Sequence, residues 1–275
     1  MLSNPHHFTT SDYEHLISEA LGIADEAGRA IMHIYAQQVI DVTRKNDHSP
    51  VTEADYAAHR VIVPALQKLT PHIPVISEES PEKPEGFENF WLVDPLDGTR
   101  EFLKRNGEFS VNIALIFDRK PVLGVITGPG QLSANPPNTA SNLVSDLAYT
   151  ASIKTAAKKR QAGNWTELPT LAKTPIPDAP VILGPQTLEN PHLKLWQAQH
   201  YPNATWLRVG SALKFGVLAE GRAHLYPRFG PTMEWDTAAG HAILQAVGGD
   251  IKTFDGPSLT YAKANYLNPH FIAKI

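Results

Sequence analysis

The sequence predicts an α/β protein with an α+β N-terminal half and an α/β C-terminal half. Three observations predict it: a long helical pattern opens the chain, two β-rich runs flank a tight turn, and strand-like and helix-like runs then alternate. The chain has 275 residues, of which 42% are hydrophobic. It can therefore bury a large core as one domain or as two joined lobes.

Two helices are predicted near the N-terminus. Apolar residues recur three and four apart over residues 11–38, which indicates one long amphipathic helix. Thr52 then stands where a second helix could begin, running to about Leu69. Asp55 would occupy the third position of this helix.

Four strands are predicted next. The apolar runs 74–77 and 90–93 end in acid, Glu78-Glu79 and Asp94 respectively, and both read as buried strands. Residues 110–116 and 121–127 are β-rich and are separated by Asp118-Arg119-Lys120, which predicts a hairpin. Together these runs predict one mixed sheet.

The second half predicts a layered arrangement of strands and helices. Residues 128–146 are rich in Pro, Gly, Asn and Ser and predict a long loop, so we expect lobes at 1–145 and 146–275. The basic run 158–160 is interpreted as a solvated turn. Strands are expected at 181–183, 206–209, 223–226, 250–254 and 271–275, and helices at 191–199, 211–219 and 235–247.

Composition excludes several classes of function. The net charge of −4 gives no global positive field for nucleic acid or anionic lipid. There is no cysteine, so disulfides, thiolate metal sites and a Cys nucleophile are excluded. No apolar run approaches the length of a membrane span. The predicted location is the cytoplasm, with peripheral association at the inner membrane as an alternative.

Four acidic residues fall where a strand ends or a helix begins, which is where α/β proteins place their sites. Carboxylate and carbonyl oxygens are the ligands that Mg²⁺ prefers. We therefore predict a magnesium site for phosphoryl transfer, to which the Leu96 carbonyl would also contribute. The predicted carboxylate ligands are Glu78, Asp94, Asp97 and Asp236.

The turn that follows Asp97 suggests further roles. Gly98 permits an unusual backbone conformation, which would leave the amides of Gly98 and Thr99 free to face a phosphate. Thr99 and Asp55 could share a hydrogen bond that orients and deprotonates an attacking water. Read alone, Asp-Pro and Asp-Gly pairs more often mark structural turns.

Two separated motifs resemble the paired signatures of the inositol monophosphatase superfamily, which comprises lithium-sensitive, Mg²⁺-dependent phosphatases. The first is Asp94-Pro95-Leu96-Asp97-Gly98-Thr99, preceded by Glu78-Glu79, and the second is Trp235-Asp236-Thr237-Ala238-Ala239-Gly240. Within that superfamily the chain is most similar to the bacterial 3'(2'),5'-bisphosphate nucleotidases. The stretches that carry this similarity are 101–112, 210–215 and 225–232.

The resemblance implies a layered αβαβα sandwich whose two lobes enclose two or three Mg²⁺ ions, with inhibition by Li⁺. It implies that the five predicted ligands bind metal and that Asp55 and Thr99 activate water. The implied reaction is attack of water on the 3'-phosphate of adenosine 3',5'-bisphosphate, giving AMP and phosphate. Related enzymes also act on 3'-phosphoadenylyl sulfate.

The choice of substrate depends on residues near the second motif. Inositol monophosphatases place an acid seven residues before the last metal-binding Asp, and here that position is Phe229, preceded by Arg228. An aromatic ring and a guanidinium suit a stacked base and a second phosphate better than a polyol. Lys214 is predicted near the 5'-phosphate, with a solvated helix lysine as the alternative. Gly210 and Ser211 could contact ribose or base, or cap a helix.

Other functions remain as alternatives at this stage. Within the enzymes, the alternative is an inositol monophosphatase or a fructose-1,6-bisphosphatase. Outside them, it is a silent metal- or nucleotide-binding module, which would be expected to lack at least one ligand. The predicted partner is a small nucleotide bisphosphate and no nucleic acid, and the chain is expected to be a monomer or a homodimer.

Overall fold

The fold was taken from a computed structural model, which describes residues 8–37, 42–44, 50–130, 146–171, 175–185 and 190–275. Its helices are α1 (Thr10–Tyr35), α2 (Glu53–Leu69), α3 (Thr99–Leu103), α4 (Pro191–His200), α5 (Leu213–Ala219) and α6 (Ala238–Ala246). Its strands in the first half are β1 (Val42–Arg44), β2 (Pro50–Thr52), β3 (Val75–Ser77), β4 (Phe90–Asp97), β5 (Ser110–Phe117) and β6 (Lys120–Thr127). Those in the second half are β7 (Ala148–Ser152), β8 (Thr155–Gln161), β9 (Asn164–Glu167), β10 (Val181–Gly184), β11 (Thr205–Arg208), β12 (Leu225–Arg228), β13 (Asp250–Thr253) and β14 (Phe271–Lys274).

The start of α2 was predicted from its capping residue, and the structure confirms that prediction. Thr52 accepts a hydrogen bond from the Ala54 amide, and the Asp55 carboxylate accepts one from the Thr52 amide, which completes a capping box. α1 begins with the same arrangement at Thr9 and Asp12. Both helices therefore start where a hydroxyl and a carboxylate satisfy otherwise unpaired amides.

The larger sheet has seven strands in the order β3-β4-β5-β6-β7-β8-β9, and strands β4 to β7 are buried on both faces. Along β5, Val111 and Ile113 belong to the apolar cluster that includes α1 and α2, whereas Ala114 and Ile116 belong to the cluster that includes α5 and α6. This alternation follows from the two-residue period of a strand. The predicted hairpin is confirmed as β5 and β6.

The smaller sheet has five strands in the order β11-β10-β12-β14-β13. α6 contributes Ile243 and Leu244 to the core between the two sheets, and Trp196 of α4 contacts Phe229 and Phe254, which lie just after β12 and β13. The layers run from α1 and α2 through the larger sheet, α5 and α6, and the smaller sheet to α4. The predicted layered αβαβα class is confirmed.

Residues 146–167 form three strands that sequence reasoning left open. β7 pairs with β6, so hydrogen bonding of the larger sheet runs across the expected boundary between 145 and 146. The division into lobes at that point stays a prediction, and the expected loop at 128–146 lies mostly outside the described residues. Among the residues that are described, no helix combines the length and apolar character that crossing a membrane requires.

The interpretation of residues 158–160 as a solvated turn was wrong. These residues lie in β8, and Arg160 and Lys159 keep only 16% and 17% of their side chains exposed. Arg160 donates to both carboxylate oxygens of Asp25 on α1 at 2.7 and 2.8 Å, and Lys159 contacts Glu220 at 3.0 Å. Partners that are distant in sequence neutralise these cations, so the local pattern alone could not reveal their burial.

Candidate active site

The first acidic residues of the site are Glu78, which follows the end of β3, and Asp94, which lies inside β4. These two strands are parallel neighbours with Ser77 opposite Val93. The next residue along each strand, Glu78 or Asp94, therefore lies at the same edge of the sheet. The Glu78 amide donates to the Val93 carbonyl at 3.0 Å, which holds Glu78 beside β4.

A bulge in β4 directs Asp94 and Asp97 to one side. Side chains alternate along a regular strand, so two residues three apart would point to opposite faces. Here Asp94 lies opposite Asn112 of β5 and Asp97 lies opposite Ser110, so β4 contains one extra residue between them. Pro95, which has no amide donor, lies within this irregular stretch. The bulge therefore brings both carboxylates to the face that meets the C-terminal half.

Asp236 approaches the same place from the C-terminal half. It ends a short 3₁₀ turn, Glu234–Asp236, and accepts a hydrogen bond from the Met233 amide at 2.8 Å. One oxygen each from Glu78, Asp94 and Asp236 lies within 4.8 Å of the others. Three carboxylates this close could hold a divalent metal ion, because oxygen donors suit Mg²⁺ and Ca²⁺.

Asp97 and Leu96 line the same cavity as these three residues. Asp97 is not among the three converging oxygens, and its Oδ2 accepts the amide of Ala212 from the turn before α5. The Leu96 carbonyl lies 3.5 Å from the Thr99 hydroxyl. All five predicted ligands thus surround one cavity, and their roles as metal ligands stay a prediction.

The electrostatics of the site favour a bound cation. Burial first, and then the charge of Glu78, raises the pKa of Asp94 well above its usual range. Burial and the charge of Asp97 raise the pKa of Asp236 in the same way. Burial also raises the pKa of Asp97 to about 6, although the positive charge of Lys214 opposes the rise. Without a counterion these carboxylates hold protons that a metal ion would displace.

The predicted pair of Asp55 and Thr99 is present. The Thr99 hydroxyl donates to Asp55 Oδ1 at 3.2 Å. The other carboxylate oxygen of Asp55 accepts the amide and hydroxyl of Thr52 at 2.8 and 2.7 Å. The Asp55 side chain is buried, and donors on both of its oxygens fix its orientation.

Two adjoining cavities meet at these residues. The first, lined by the five predicted ligands and called here the metal-ligand cavity, has a volume of about 500 Å³, and the second has a volume of about 280 Å³. The second cavity is lined by four cationic side chains, Arg100, Lys104, Lys214 and Arg228. Asp97, Gly98, Arg100, Glu101, Arg228, Thr232 and Asp236 line both. A ligand with two separated anionic groups could therefore occupy the two cavities together.

The predicted substrate residues Lys214 and Arg228 both lie at the second cavity. Lys214 is buried and donates to the Ser211 carbonyl at 3.2 Å, so the alternative of a solvated helix lysine is wrong. In the part of the chain that the structure describes, Lys214 has no carboxylate within ion-pair distance. Arg228 donates to the Pro231 carbonyl at 3.1 Å, and its buried Nε has no partner among those same residues. An anion in the cavity would satisfy these donors.

The glycines of the site have steric roles. Gly98 precedes α3 with φ of 92°, a left-handed conformation that side chains rarely adopt, and a Cβ there would lie 3.1 Å from the Glu108 carbonyl. Gly210 lines the second cavity together with Ser211. The Gly210 amide, however, donates to the Glu108 carboxylate at 2.8 Å, so it is not free to face a substrate.

Phe229 does not lie where the expected base stacking would place it. Its ring stacks on Phe254 with 4.6 Å between centroids and also contacts Trp196 and His270. Among the described residues that line the two cavities, Phe229 is absent. The expectation was wrong because aromatic partners distant in the sequence turn this ring towards α4.

Glu234, whose orientation was open, points away from the predicted metal ligands. It is fully buried and accepts the amides of Ala262 and Lys263 at 2.8 Å each, with the Lys263 ammonium at 2.7 Å. These contacts therefore fix the short 3₁₀ turn that begins at Glu234 and ends at Asp236. Sequence reasoning also gave no role to Glu108, Arg100 or Lys104. Lys104 and Glu108 lie inside the 101–112 stretch and Arg100 directly precedes it, and this was the only signal.

Comparisons with known proteins agree with this geometry. The model of the Inositol monophosphatase family matches residues 12–274. A curated 3'(2'),5'-bisphosphate nucleotidase CysQ of Escherichia coli O6:H1 is 42% identical over 94% of this chain and 100% of its own length. The CysQ of Haemophilus influenzae is 33% identical over 94% of this chain and 92% of its own length.

Solved structures of two related proteins have a similar fold. The crystal structure of CysQ from Bacteroides thetaiotaomicron superposes with a TM-score of 0.78 at 34% identity, covering 95% of this chain and 97% of that one. The suhB protein of Bartonella henselae superposes with a TM-score of 0.74 at 26% identity, covering 94% and 93%.

Proposed function

The chain belongs to the inositol monophosphatase family, and we propose that it is a Mg²⁺-dependent phosphatase that hydrolyses the 3'-phosphate of adenosine 3',5'-bisphosphate. The products would be AMP and inorganic phosphate. The observation that carries the proposal is the junction of a carboxylate-lined cavity with a smaller cavity lined by four cations. The curated relatives named CysQ support the choice of a bisphosphate nucleotide.

The metal-ligand cavity is proposed to hold two or three Mg²⁺ ions through Glu78, Asp94, Asp97, Asp236 and the Leu96 carbonyl. The raised pKa values of Asp94 and Asp236 support this, because crowded buried carboxylates require a cation to ionise together. Magnesium, when bound, supplies electrostatic stabilisation of the charge that develops on the phosphoryl oxygens. Inhibition by Li⁺ is expected because the chain belongs to the inositol monophosphatase family.

Thr99 and Asp55 are proposed to prepare the attacking water. Because the Thr99 hydroxyl donates to Asp55, its lone pairs are available to accept a hydrogen bond from water. Asp55 then receives the proton through Thr99 as the new bond to phosphorus forms. The bond between phosphorus and the 3'-oxygen breaks, and the departing oxygen takes up a proton from a solvent water to leave as the ribose hydroxyl.

The second cavity is proposed to hold the phosphate that is not cleaved. Lys214 and Arg228 offer donors there, and the buried Nε of Arg228 supports an anionic partner. Arg228 also lines the metal-ligand cavity, so it lies where the two cavities meet. An inositol monophosphate has no second phosphate to match these cations. The same chemistry would accept 3'-phosphoadenylyl sulfate.

The proposal is tested by phosphate release from adenosine 3',5'-bisphosphate, with and without Mg²⁺, followed by ³¹P NMR of the products. We expect AMP that retains its 5'-phosphate, and no turnover after chelation of the metal. Binding of the bisphosphate without phosphate release would instead support a silent binding module. Release of the 5'-phosphate would contradict the assignment of the two cavities.

The location and assembly of the protein remain expectations. The cytoplasm is still the expected compartment, and none of the findings supports the peripheral membrane association. The expected state of monomer or homodimer is open to measurement by light scattering. Binding of nucleic acid is not expected at the overall charge of this chain.

A further inference from the structure

Glu108, in the loop between α3 and β5, contacts the turn that begins α5. Its Oε2 accepts the Gly210 amide at 2.8 Å, although the two residues are 102 positions apart in the chain. α5 carries Lys214, one of the four cations of the second cavity. Glu108 therefore joins the N-terminal half of the molecule to the segment that supplies a proposed phosphate ligand.

The contact between Glu108 and the turn leaves no space. A Cβ on Gly210 would lie 2.6 Å from the Glu108 carbonyl oxygen and 2.7 Å from its Cβ. Ser211, the next residue, has φ of 49°, a conformation that is unfavourable for serine unless its surroundings hold it. A Cβ on Gly98 would lie 3.3 Å from the Ser211 Cβ. The turn therefore packs closely against Gly98, the residue that follows β4.

Two carboxylates hold this turn from its two ends. Glu108 accepts the Gly210 amide, and Asp97 accepts the Ala212 amide. Between them, the Ser211 carbonyl accepts a hydrogen bond from the Lys214 ammonium at 3.2 Å. The Lys214 ammonium also lies 5.4 Å from the centre of the Tyr226 ring. The position of Lys214 therefore depends on a turn that Glu108 anchors.

We propose that Glu108 is a positioning residue for the uncleaved phosphate of the substrate. It holds the Gly210–Ala212 turn so that the Lys214 ammonium stays in the second cavity. This inference rests on the proposed function, because it concerns binding of a ligand with two phosphates. Glu108 lines neither cavity among the described residues, so its loss should weaken binding more than it slows the bond-breaking step.

The test uses Glu108→Ala and Glu108→Gln in the full chain. In Glu108→Ala the Gly210 amide loses its acceptor, and we expect KM for adenosine 3',5'-bisphosphate to rise roughly 10-fold while kcat changes less than about threefold. The Kd for AMP, which presents only the uncleaved phosphate, should rise by a similar factor. The Kd for inorganic phosphate should not rise. Glu108→Gln retains an oxygen acceptor and should restore most of the affinity.

Two further variants show whether the effect comes from displacement of the turn or from the loss of any acidic side chain. Gly210→Ala keeps every charge but displaces the turn, so it should raise the same KM and the same Kd for AMP. Glu167→Ala removes an exposed acid on β9 and should behave like the wild type. If Glu108→Ala does not fold, Glu108→Asp replaces it, since the shorter side chain cannot reach the Gly210 amide in the same geometry.

The outcomes separate this inference from the proposed function. Unchanged KM and AMP affinity in Glu108→Ala would overturn the positioning role, and so would equal losses in Glu108→Ala and Glu108→Gln. If the wild type released no phosphate from the bisphosphate, the proposed function would fail. The AMP titrations would still support or overturn the role of Glu108, because they require no turnover.

Discussion

Asp97 connects the metal-ligand cavity to the turn before α5. Its carboxylate interacts electrostatically with Glu78 and Lys214 and accepts the Ala212 amide. Asp97→Asn removes the negative charge and keeps an oxygen that can accept this amide. We expect kcat to fall roughly 10²–10³-fold, as for loss of a group that stabilises developing charge, with weaker Mg²⁺ binding by calorimetry.

A matched control for this variant is Asp118→Asn. Asp118 is exposed at the tip of the β5–β6 hairpin, where its φ of 48° suits asparagine as well as aspartate. The control should keep wild-type kcat and Mg²⁺ affinity. Full turnover in Asp97→Asn, with Mg²⁺ bound as in the wild type, would exclude Asp97 as a ligand.

The raised pKa of Asp97 predicts how the stability of the metal-free protein depends on pH. The folded protein holds the Asp97 proton up to about pH 6, whereas the ordinary value for the unfolded chain is 3.8. The resulting stabilisation is complete below 3.8 and is lost as the pH rises through 6. The Tm of the chelator-treated wild type should therefore fall relative to that of Asp97→Asn across this range. Saturating Mg²⁺ should remove the fall, and a Tm difference independent of pH would contradict the pKa assignment.

Arg228 is expected to recognise the uncleaved phosphate. Arg228→Ala removes donors at the second cavity and should raise KM for adenosine 3',5'-bisphosphate about 10–100-fold, the range for hydrogen bonds to a charged group. The effect on adenosine 3'-monophosphate should be much smaller. Arg29→Ala, which removes an exposed pair with Glu26 on α1, is the control and should change neither KM. Equal KM increases for both substrates would place Arg228 at the cleaved phosphate instead.

Helix α2 combines its own N-terminal cap with the proposed water-activating pair. Thr52 caps the helix and donates to Asp55, and Asp55 in turn accepts from Thr99. Thr52→Ala should lower the free energy of unfolding by about 1 kcal/mol, the usual value of an N-cap. It should also lower kcat, because Asp55 loses one of the donors that orient it.

Helix α1 supplies the control for that prediction. Thr9 and Asp12 form the same capping box and line neither of the two cavities, so Thr9→Ala should lower the free energy of unfolding without changing kcat. Urea denaturation and initial rates on both variants give the comparison. If Thr52→Ala kept wild-type kcat, the link between the cap and the catalytic pair would be refuted.

Elements with a strong local pattern were predictable, and their contacts were not. The N-cap of α2 and the β5–β6 hairpin depend on residues that are close in the sequence, and both predictions are confirmed. The bulge in β4 was hidden because it depends on the register against β5. Strands β7–β9 were missed because burial does not alternate along them. β7 is buried throughout, β8 mixes buried, half-buried and exposed residues, and β9 is exposed throughout.

Across the whole molecule, the site forms only when the two halves meet. Glu78 and Asp94 come from the larger sheet, whereas Asp236, Lys214 and Arg228 come from beyond residue 205. The paired motifs allowed Glu78, Asp94 and Asp236 to be predicted together, whereas Lys214 and Arg228 were predicted from the stretches 210–215 and 225–232. Three features depend on tertiary packing and could not be predicted from local sequence. They are the burial of Lys214, the contact of Glu108 with Gly210 and the stacking of Phe229 on Phe254.

The central claim is that the metal-ligand cavity supplies the chemistry and the cation-lined cavity selects a substrate with a second phosphate. The most direct measurement is kcat/KM in Mg²⁺ for adenosine 3',5'-bisphosphate beside adenosine 3'-monophosphate and inositol 1-phosphate. We expect the bisphosphate to exceed both monophosphates by at least roughly 10²-fold, since charge-assisted contacts contribute about 1.5–3 kcal/mol each. A kcat/KM for inositol 1-phosphate equal to or above that for the bisphosphate would contradict the account.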